Sequence, residues 1–278
     1  MAKSVIARQE DGTVQVTLTI PQEAVKKARA EVVKGMAAQA DLPGFRKGKA
    51  PEKLIEEKLN PESVREEVLK KILPQVYMDA IEEHKLKPIM NPKLHVEKIE
   101  DDKDWVVSAL TCELPDIDPG PYKANVQKIT AKSKILIPGK EEESKKPSTE
   151  EVLKVVLDSS KVKVPRILVE QEADRLIAQL LDDIKKLGLG LDQYLASTKR
   201  NPQDLRAEYA GRAENDIKLE FVLQKIAEDA KIAVDPKEIE EAIEKAKNPE
   251  ERQSMEANRY LLAGILRQQK TLDFLMNL

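Results

Sequence analysis

The sequence predicts an elongated, multi-domain protein in which an α+β domain is followed by an all-α domain. Three observations support this fold class. Charged residues make up 35% of the 278-residue chain and aromatic residues only 3%, a composition typical of long solvated helices. Clear strand-like alternation is confined to the part before residue 115, where it flanks a helical pair. Helical periodicity dominates from residue 148 onward.

Two strands joined by a turn open the chain. Residues 14–20 alternate apolar and polar side chains, which predicts a half-buried strand. Asp11 and Gly12 form a turn signal just before it, so we expect a first strand over about residues 4–10. Pro21 then suits the first turn of a helix, which helically spaced apolar residues extend toward Met36.

The rest of the first domain alternates helix and strand. Pro51 opens a second helix, and Asn60-Pro61 breaks or re-caps it. The helical pattern then continues to about residue 85, and Pro74 within it is expected to cause a kink. Two further strands are predicted over residues 93–99 and 105–114. These elements define an α+β domain over residues 1–114.

Residues 115–149 change character and are predicted to be a linker or extended arm. The segment carries a highly charged tract, and between Lys123 and Lys146 its net charge is +4. Its prolines are Pro115, Pro119, Pro121, Pro138 and Pro147. Residues 150–278 form the predicted helical domain, which begins after Ser148, a residue suited to capping a helix.

The octapeptide Gly44–Pro51 (GFRKGKAP) lies between the two helices of the first domain. Its glycines permit sharp turns, and Phe45 is an aromatic residue that no local pattern buries. Such a loop suits a surface rich in phosphate with unstacked bases, but it is also compatible with a solvated loop whose ring folds back onto the helices. Its three cations are Arg46, Lys47 and Lys49.

This octapeptide resembles the signature of the trigger factor family, bacterial chaperones that bind near the ribosomal exit tunnel. The order of elements over residues 1–114 is similar to that family's ribosome-binding domain. Residues 164–176 (VPRILVEQEADRL) resemble the start of its C-terminal chaperone domain, and residues 271–277 (TLDFLMN) resemble its end. The resemblance therefore covers most of the chain.

The resemblance implies a ribosome-docking loop that touches ribosomal RNA and protein of the large subunit, and a helical cradle that shields nascent chains. The residues implied in docking are Gly44, Phe45, Arg46, Lys47, Gly48 and Lys49. It further implies a homodimer when the protein is off the ribosome. The basic segment 115–149 is open to two interpretations, a charged spacer or an accessory contact to ribosomal RNA.

Typical members carry an FKBP-like peptidyl-prolyl isomerase domain, and this sequence departs from that pattern. The 35 residues between Leu114 and Glu150 are fewer than the ~50 that a domain needs, so we expect no isomerase activity and no other enzymatic activity. The chain shows no Gly-rich phosphate loop, no GxSxG motif and no plausible Cys–His pair. We expect no cofactor and no metal.

Residues 187–195 (LGLGLDQYL) are apolar and interrupted by glycines. They form either a helix–helix turn with its leucines in the core or an exposed apolar tip that contacts unfolded client segments. Under the second interpretation the client-binding residues are Leu187, Leu189, Leu191 and Tyr194.

The remaining chemically active residues are expected to be structural. His84 and His95 stand apart from any metal-ligand spacing, and Cys112 lies in an apolar run, as a buried small hydrophobe does. The acidic cluster that follows Asp235-Pro236 is expected to be a solvated helix start. It comprises Glu238, Glu240, Glu241 and Glu244.

The most direct functional hypothesis is a cytoplasmic, ATP-independent chaperone docked on the ribosome. The sequence start lacks a signal-peptide core, and no stretch reaches the ~18 apolar residues of a membrane span. A second hypothesis is a holdase that never uses the ribosome and resembles the SurA-type chaperones. A third is a ribosome-bound regulator of translation that has no clients.

Overall fold

The computed structural model describes residues 2–39, 59–100, 102–133 and 147–278. The chain divides into two compact units, Met1–Leu114 and Pro115–Leu278. The first unit mixes strands and helices, and the second is mainly helical. The predicted α+β and helical parts are therefore confirmed.

Within its described residues, the first unit contains a four-stranded antiparallel sheet with two helices on one face. The strand order is β1-β2-β4-β3, so β1 and β3 lie at the edges of the sheet. The strands are β1 (Lys3–Arg8), β2 (Thr13–Ile20), β3 (Lys93–Lys98) and β4 (Trp105–Cys112), and the helices are α1 (Gln22–Gln39) and α2 (Pro61–Glu83).

The predicted hairpin between β1 and β2 is confirmed. The backbone N–H of Gln9 donates to the carbonyl oxygen of Thr13 over 2.8 Å, and the carboxylate of Asp11 accepts from the Thr13 N–H at 3.0 Å. Gly12 takes a positive φ of 86°, which suits a residue without a Cβ. The turn thus sets the register that places the apolar side chains of β2 in the core.

Local sequence signals explain the helix boundaries of the first unit. The side chain of Asn60 accepts a hydrogen bond of 2.9 Å from the N–H of Glu62, and Pro61 occupies the first turn of α2. The helix continues through Pro74 to Glu83. Leu73 is buried, and Val76 packs against the same core, so side-chain packing holds the segment that contains the proline.

The second unit consists of eight described helices and a two-stranded sheet, which strands β5 and β6 form by antiparallel pairing. In chain order its elements are β5 (Ile117–Asp118), α3 (Tyr122–Ser133), α4 (Thr149–Ser159), β6 (Lys161–Val162), α5 (Arg166–Lys186), α6 (Leu191–Thr198), α7 (Pro202–Asp229), α8 (Pro236–Glu244), α9 (Pro249–Ala257) and α10 (Arg259–Met276).

The prediction of an unpacked linker over residues 115–149 is wrong for residues 117–133. Strand β5 pairs with β6, and α3 places Tyr122 and Val126 in a core cluster shared with α4, α7 and α10. Tyr122, Val126 and Ile129 recur at helical spacing, so burial of this face stabilises α3 against the surrounding charge and prolines. The segment belongs to the second unit.

The helix start predicted at Ser148 is confirmed. The Ser148 hydroxyl accepts from the Glu151 N–H at 3.2 Å, and the Glu151 carboxylate accepts from the Ser148 N–H at 3.0 Å. This reciprocal pair satisfies two backbone donors at the start of α4. A similar capping box at Asp235 and Glu238 opens α8.

Candidate functional site

The predicted docking loop lies outside the described residues, as do its members Gly44, Phe45, Arg46, Lys47, Gly48 and Lys49. On either side of this gap, α1 ends at Gln39 and α2 begins at Pro61. The two helices pack together, and Lys71 Nζ lies 2.6 Å from Glu31 Oε2. The hydrogen bond from Lys71 lowers the pKa of the Glu31 carboxyl group.

A cleft of about 170 Å³ lies in the first unit beside the beginnings of α1 and α2. Apolar side chains, including Val64, Val68 and Trp105, line its wall, and charged side chains line its rim. Lys26 Nζ is 3.1 Å from Asp102 Oδ1, so rim charges of opposite sign are paired. Lys103 pairs with Glu100 in the same way, and Arg29 and Arg65 add further positive charge to the lining. The described lining offers no nucleophile with an adjacent base.

The predicted apolar tip is exposed at the end of α5. Leu187 is 76% exposed, and Leu189 and Leu191 are also exposed. The interpretation in which these leucines enter the core is therefore wrong for all three. Tyr194 is half-buried, and Leu195 takes the core position. The helix–helix turn itself is confirmed, because α5 ends at Lys186 and α6 begins at Leu191.

Backbone bonds hold the tip in a defined conformation. The N–H of Leu189 donates to the carbonyl oxygen of Ile184 over 3.1 Å, which closes the end of α5. Gly188 has a positive φ of 73°, and the N–H of Gly190 donates to Gln193 Oε1 at 3.1 Å. The exposed leucines are thus presented on a structured turn.

A second exposed apolar surface lies on α10 and escaped the sequence interpretation. Tyr260 is 95% exposed, and Leu261 and Ile265 are exposed as well. Ile265 lies three residues after Leu262, a helical spacing that would place both on one face, but Leu262 is buried and Ile265 is exposed. A signal was present, because Leu261 and Ile265 are four residues apart and therefore share a helix face.

The acidic cluster of α8 stabilises local structure. Lys270 Nζ lies 2.8 Å from both carboxylate oxygens of Glu238 and donates to the carbonyl oxygen of Ala233 at 2.9 Å. The hydrogen bond from Lys270 is the main cause that lowers the pKa of Glu238. Glu240 forms a second ion pair, with Arg259, at 2.7 Å. These carboxylates hold α8 against α10.

The remaining candidates for chemistry are structural in the described part of the chain. Cys112 is fully buried, and burial raises the pKa of its thiol to about 11, so it is a poor nucleophile near neutral pH. His84 lies 2.9 Å from the hydroxyl of Ser4, whereas His95 is exposed on β3. Within residues 2–39, 59–100, 102–133 and 147–278, no group of three His, Cys, Asp or Glu residues is placed to hold a metal.

Hydropathy adds one observation. Among the helices that the structure describes, none is both long enough and apolar enough to cross a bilayer.

Comparison with known proteins bears on both halves of the chain. The family model described as bacterial trigger factor protein matches residues 1–138, and the one described as its C-terminus matches residues 128–277. The trigger factors of Staphylococcus epidermidis and Staphylococcus aureus are each 35% identical over 108 residues. That segment covers 39% of this chain and 25% of each relative, so the match spans about a quarter of their length.

A solved chain shares the fold. It comes from a study of promiscuous substrate recognition in folding and assembly activities of the trigger factor chaperone. The two chains superpose with a TM-score of 0.66 over 99% of each, at 14% sequence identity. Because the C-terminal family model alone matches more than half of the residues and the N-terminal model extends the match to residue 1, this chain belongs to the bacterial trigger factor family.

Proposed function

We propose that this protein is an ATP-independent chaperone of the cytoplasm that shields nascent chains while docked at the exit tunnel of the large ribosomal subunit. The observation that carries the proposal is the exposed apolar tip of Leu187, Leu189 and Leu191 on a charged surface. Exposed apolar groups on a structured turn fit partners that are themselves apolar and unfolded.

The tip supports weak and reversible binding. Complete burial of one leucine contributes about 1.5–3 kcal/mol, and these leucines are already partly buried. Association costs at least about 4 kcal/mol in lost freedom of motion. A contact with three leucines therefore leaves a small net free energy, which permits release without ATP as the client folds.

Docking by residues 44–51 rests on the resemblance of GFRKGKAP to the family signature and on its three cations. Cations in a glycine-containing loop suit phosphate contacts. The promiscuous substrate recognition named for the protein of similar fold supports clients of varied sequence. Docking would raise the concentration of the tip around emerging chains.

The proposal contains no catalytic step. The two family models overlap at residues 128–138, which supports a chain in which the N-terminal and C-terminal parts of the family follow each other directly. Acceleration of a proline-limited refolding reaction at substoichiometric protein would contradict this part of the proposal.

The client-binding claim is tested by suppression of aggregation of a chemically unfolded protein, with and without ribosomes. We expect the triple variant Leu187→Ser, Leu189→Ser, Leu191→Ser to suppress aggregation several-fold less than the wild type. The matched control is Gln171→Ser with Gln179→Ser, two exposed neutral positions on α5, which should behave as the wild type does. Equal suppression by all three proteins would remove the tip from client binding.

The docking claim is tested by co-sedimentation with empty ribosomes. The variant Phe45→Ala, Arg46→Ala, Lys47→Ala should no longer co-sediment. The control removes one aromatic and two cationic side chains from exposed positions of the second unit: Tyr260→Ala, Arg252→Ala and Lys247→Ala. Unchanged co-sedimentation of the loop variant would refute docking through residues 44–51. A wild type that suppresses aggregation but does not co-sediment with ribosomes would instead establish a ribosome-independent holdase.

A further inference from the structure

Edge strand β3 carries apolar side chains that the core does not use. Leu94 pairs with Ala109 and Val96 pairs with Val107 across the β3–β4 ladder, so all four residues point to the same face of the sheet. Ala109 and Val107 are fully buried there, yet Leu94 is 48% exposed and Val96 is 43% exposed. The core-facing surface of the sheet therefore continues onto β3 beyond the cover of the helices.

The backbone of the same two residues faces the open edge. The N–H of Ile89 donates to the carbonyl oxygen of Cys112 at 3.0 Å. The backbone N–H and C=O groups of Cys112 therefore point toward the side of β4 on which β3 lies. Successive residues of a strand direct their backbone N–H and C=O groups to alternate sides, so those of Leu110 and Ser108 also point toward β3. Their partners Lys93 and His95 then form the ladder bonds, and the N–H and C=O groups of Leu94 and Val96 point away from β4.

The opposite edge strand differs. On β1, Ile6 packs against the core, and the hydroxyl of Ser4 donates to Glu83 Oε2 at the end of α2 over 2.6 Å. On the core-facing side of β1, Ser4 and Ile6 are thus engaged by α2 and the core, and Arg8 pairs with Glu113. Among the strands that the structure describes, β3 alone combines an unpaired edge with exposed apolar side chains on the core-facing side.

The other face of β3 is basic. Lys93 and Lys98 pair with Leu110 and Val106, which places both lysines on the side of the sheet opposite Leu94 and Val96. Neither lysine forms an ion pair with any residue in the described ranges. A strand added to this edge would meet apolar side chains on one face. On the other it would meet Lys93 and Lys98, on a strand whose one acidic residue is Glu97, and the charge of Lys98 also acts on the carboxylate of Glu100.

We propose that β3 binds an extended segment of an unfolded chain as an additional strand, and that it selects segments in which apolar residues alternate with acidic ones. Main-chain hydrogen bonds to Leu94 and Val96 hold the segment regardless of its sequence. The apolar and lysine-bearing faces of β3 favour a segment whose side chains alternate between apolar and acidic. The register shift between Val96 and Lys98 ends the regular edge, so the added strand is short and its binding is reversible. This site rests on the proposed function, since it assigns unfolded chains a contact on the first unit in addition to the tip.

The test uses the full chain and a short fluorescent peptide in which valine alternates with glutamate. Binding is measured by fluorescence anisotropy, and backbone pairing by hydrogen exchange at the amides of Leu94 and Val96, which the peptide should slow. A second peptide of the same sequence carries N-methyl groups on alternate backbone nitrogens and should not bind, because it cannot complete the ladder. Equal binding of both peptides would overturn strand addition.

Variants locate the contact. Val96→Pro removes an N–H that points away from β4, a change that edge strands tolerate, and should weaken peptide binding at least about tenfold, equivalent to about 1.4 kcal/mol. Val96→Thr retains the N–H but makes the side chain polar, and should weaken binding less. The matched control is Val5→Thr on β1, where Val5 is 67% exposed, and it should bind as the wild type does.

Each outcome decides the proposal. If Val96→Pro fails to fold, as judged by circular dichroism, Val96→Thr and the N-methylated peptide settle the contact. Sedimentation that shows a dimer with Leu94 and Val96 amides protected in the absence of peptide would overturn the proposal in favour of a second copy at this edge. Wild-type affinity in Val96→Pro with intact aggregation suppression refutes the edge site alone. If the wild type neither binds the peptide nor suppresses aggregation, the chaperone function is refuted as well.

Discussion

Gly120 offers a sharp test of the packing of residues 117–133, the segment that composition alone assigns to a linker. Its φ is +58°, and a Cβ added there would lie 2.1 Å from the carbonyl oxygen of Ser159 at the end of α4. The Asn125 amide also donates to the Ser159 hydroxyl at 2.8 Å. Gly120→Ala therefore forces the β5–α3 connection away from α4.

The expected cost has two parts. A left-handed backbone costs a residue with a Cβ about 1–2 kcal/mol, and relief of an overpacked contact costs about 1–3 kcal/mol. The free energy of unfolding of the second unit should fall by about 2–5 kcal/mol in total. For a unit of this size that corresponds to a decrease in Tm of about 4–20 °C, measurable by calorimetry.

A matched glycine provides the control. Gly211 lies within α7, and an added Cβ there would meet no atom within 4 Å. Gly211→Ala should therefore raise the free energy of unfolding by about 0.5–1 kcal/mol. A Gly120→Ala protein that melts at or above the wild-type temperature, while Gly211→Ala is stabilised, would refute the packing of residues 117–133 against α4.

Three further predictions follow from caps, ion pairs and docking charge. Ser148→Ala removes the capping box of α4 and should lower the free energy of unfolding by about 1 kcal/mol in urea titrations, whereas the exposed Lys154→Ala should change it by less than about 0.5 kcal/mol; equal effects would contradict a role for the cap. The pKa of Glu238 is lowered from 4.5 in the folded state, so the stability contributed by its pair with Lys270 is present above pH 4.5 and is lost as pH falls through the folded pKa. The difference in Tm between wild type and Glu238→Gln should accordingly shrink between pH 6 and pH 3, and a constant difference would argue against the ion pair. Ribosome co-sedimentation should weaken steeply as salt rises because phosphate contacts release counterions, whereas binding that is insensitive to salt would indicate a protein-only interface.

The elements that sequence predicts well are those set by local chemistry. The alternation in β2 predicts four side chains that are almost completely buried, because a period of two leaves only one face for the core. Asn60 and Ser148 predict helix starts that the structure shows capped as expected, since a cap depends on residues within one turn. The predicted family follows from motifs that are likewise local.

The failures concern contacts between distant parts of the chain. Helix α3 has an apolar face, but the lysines and prolines around it give the segment the composition of a linker. The helix is stabilised by packing against α4, α7 and α10. Leu187 continues the apolar face of α5 in sequence, yet the cluster that α5 shares with α7 contains Ala173, Leu176 and Ala213 and does not extend to the tip. Burial of an apolar residue requires a partner, which local periodicity cannot predict.

The candidate binding surfaces are open to mutational tests because the core does not depend on them. At the tip, on α10 and on β3, apolar faces extend beyond the elements that cover them. A side chain such as that of Leu187, which is exposed in both the folded and the unfolded states, contributes little to the free energy of unfolding, and exposed substitutions usually change it by no more than about 0.5 kcal/mol. Replacing Leu187 with serine should therefore reduce client binding while Tm stays close to that of the wild type. Loss of binding accompanied by a large fall in Tm would show instead that the tip belongs to the core in solution.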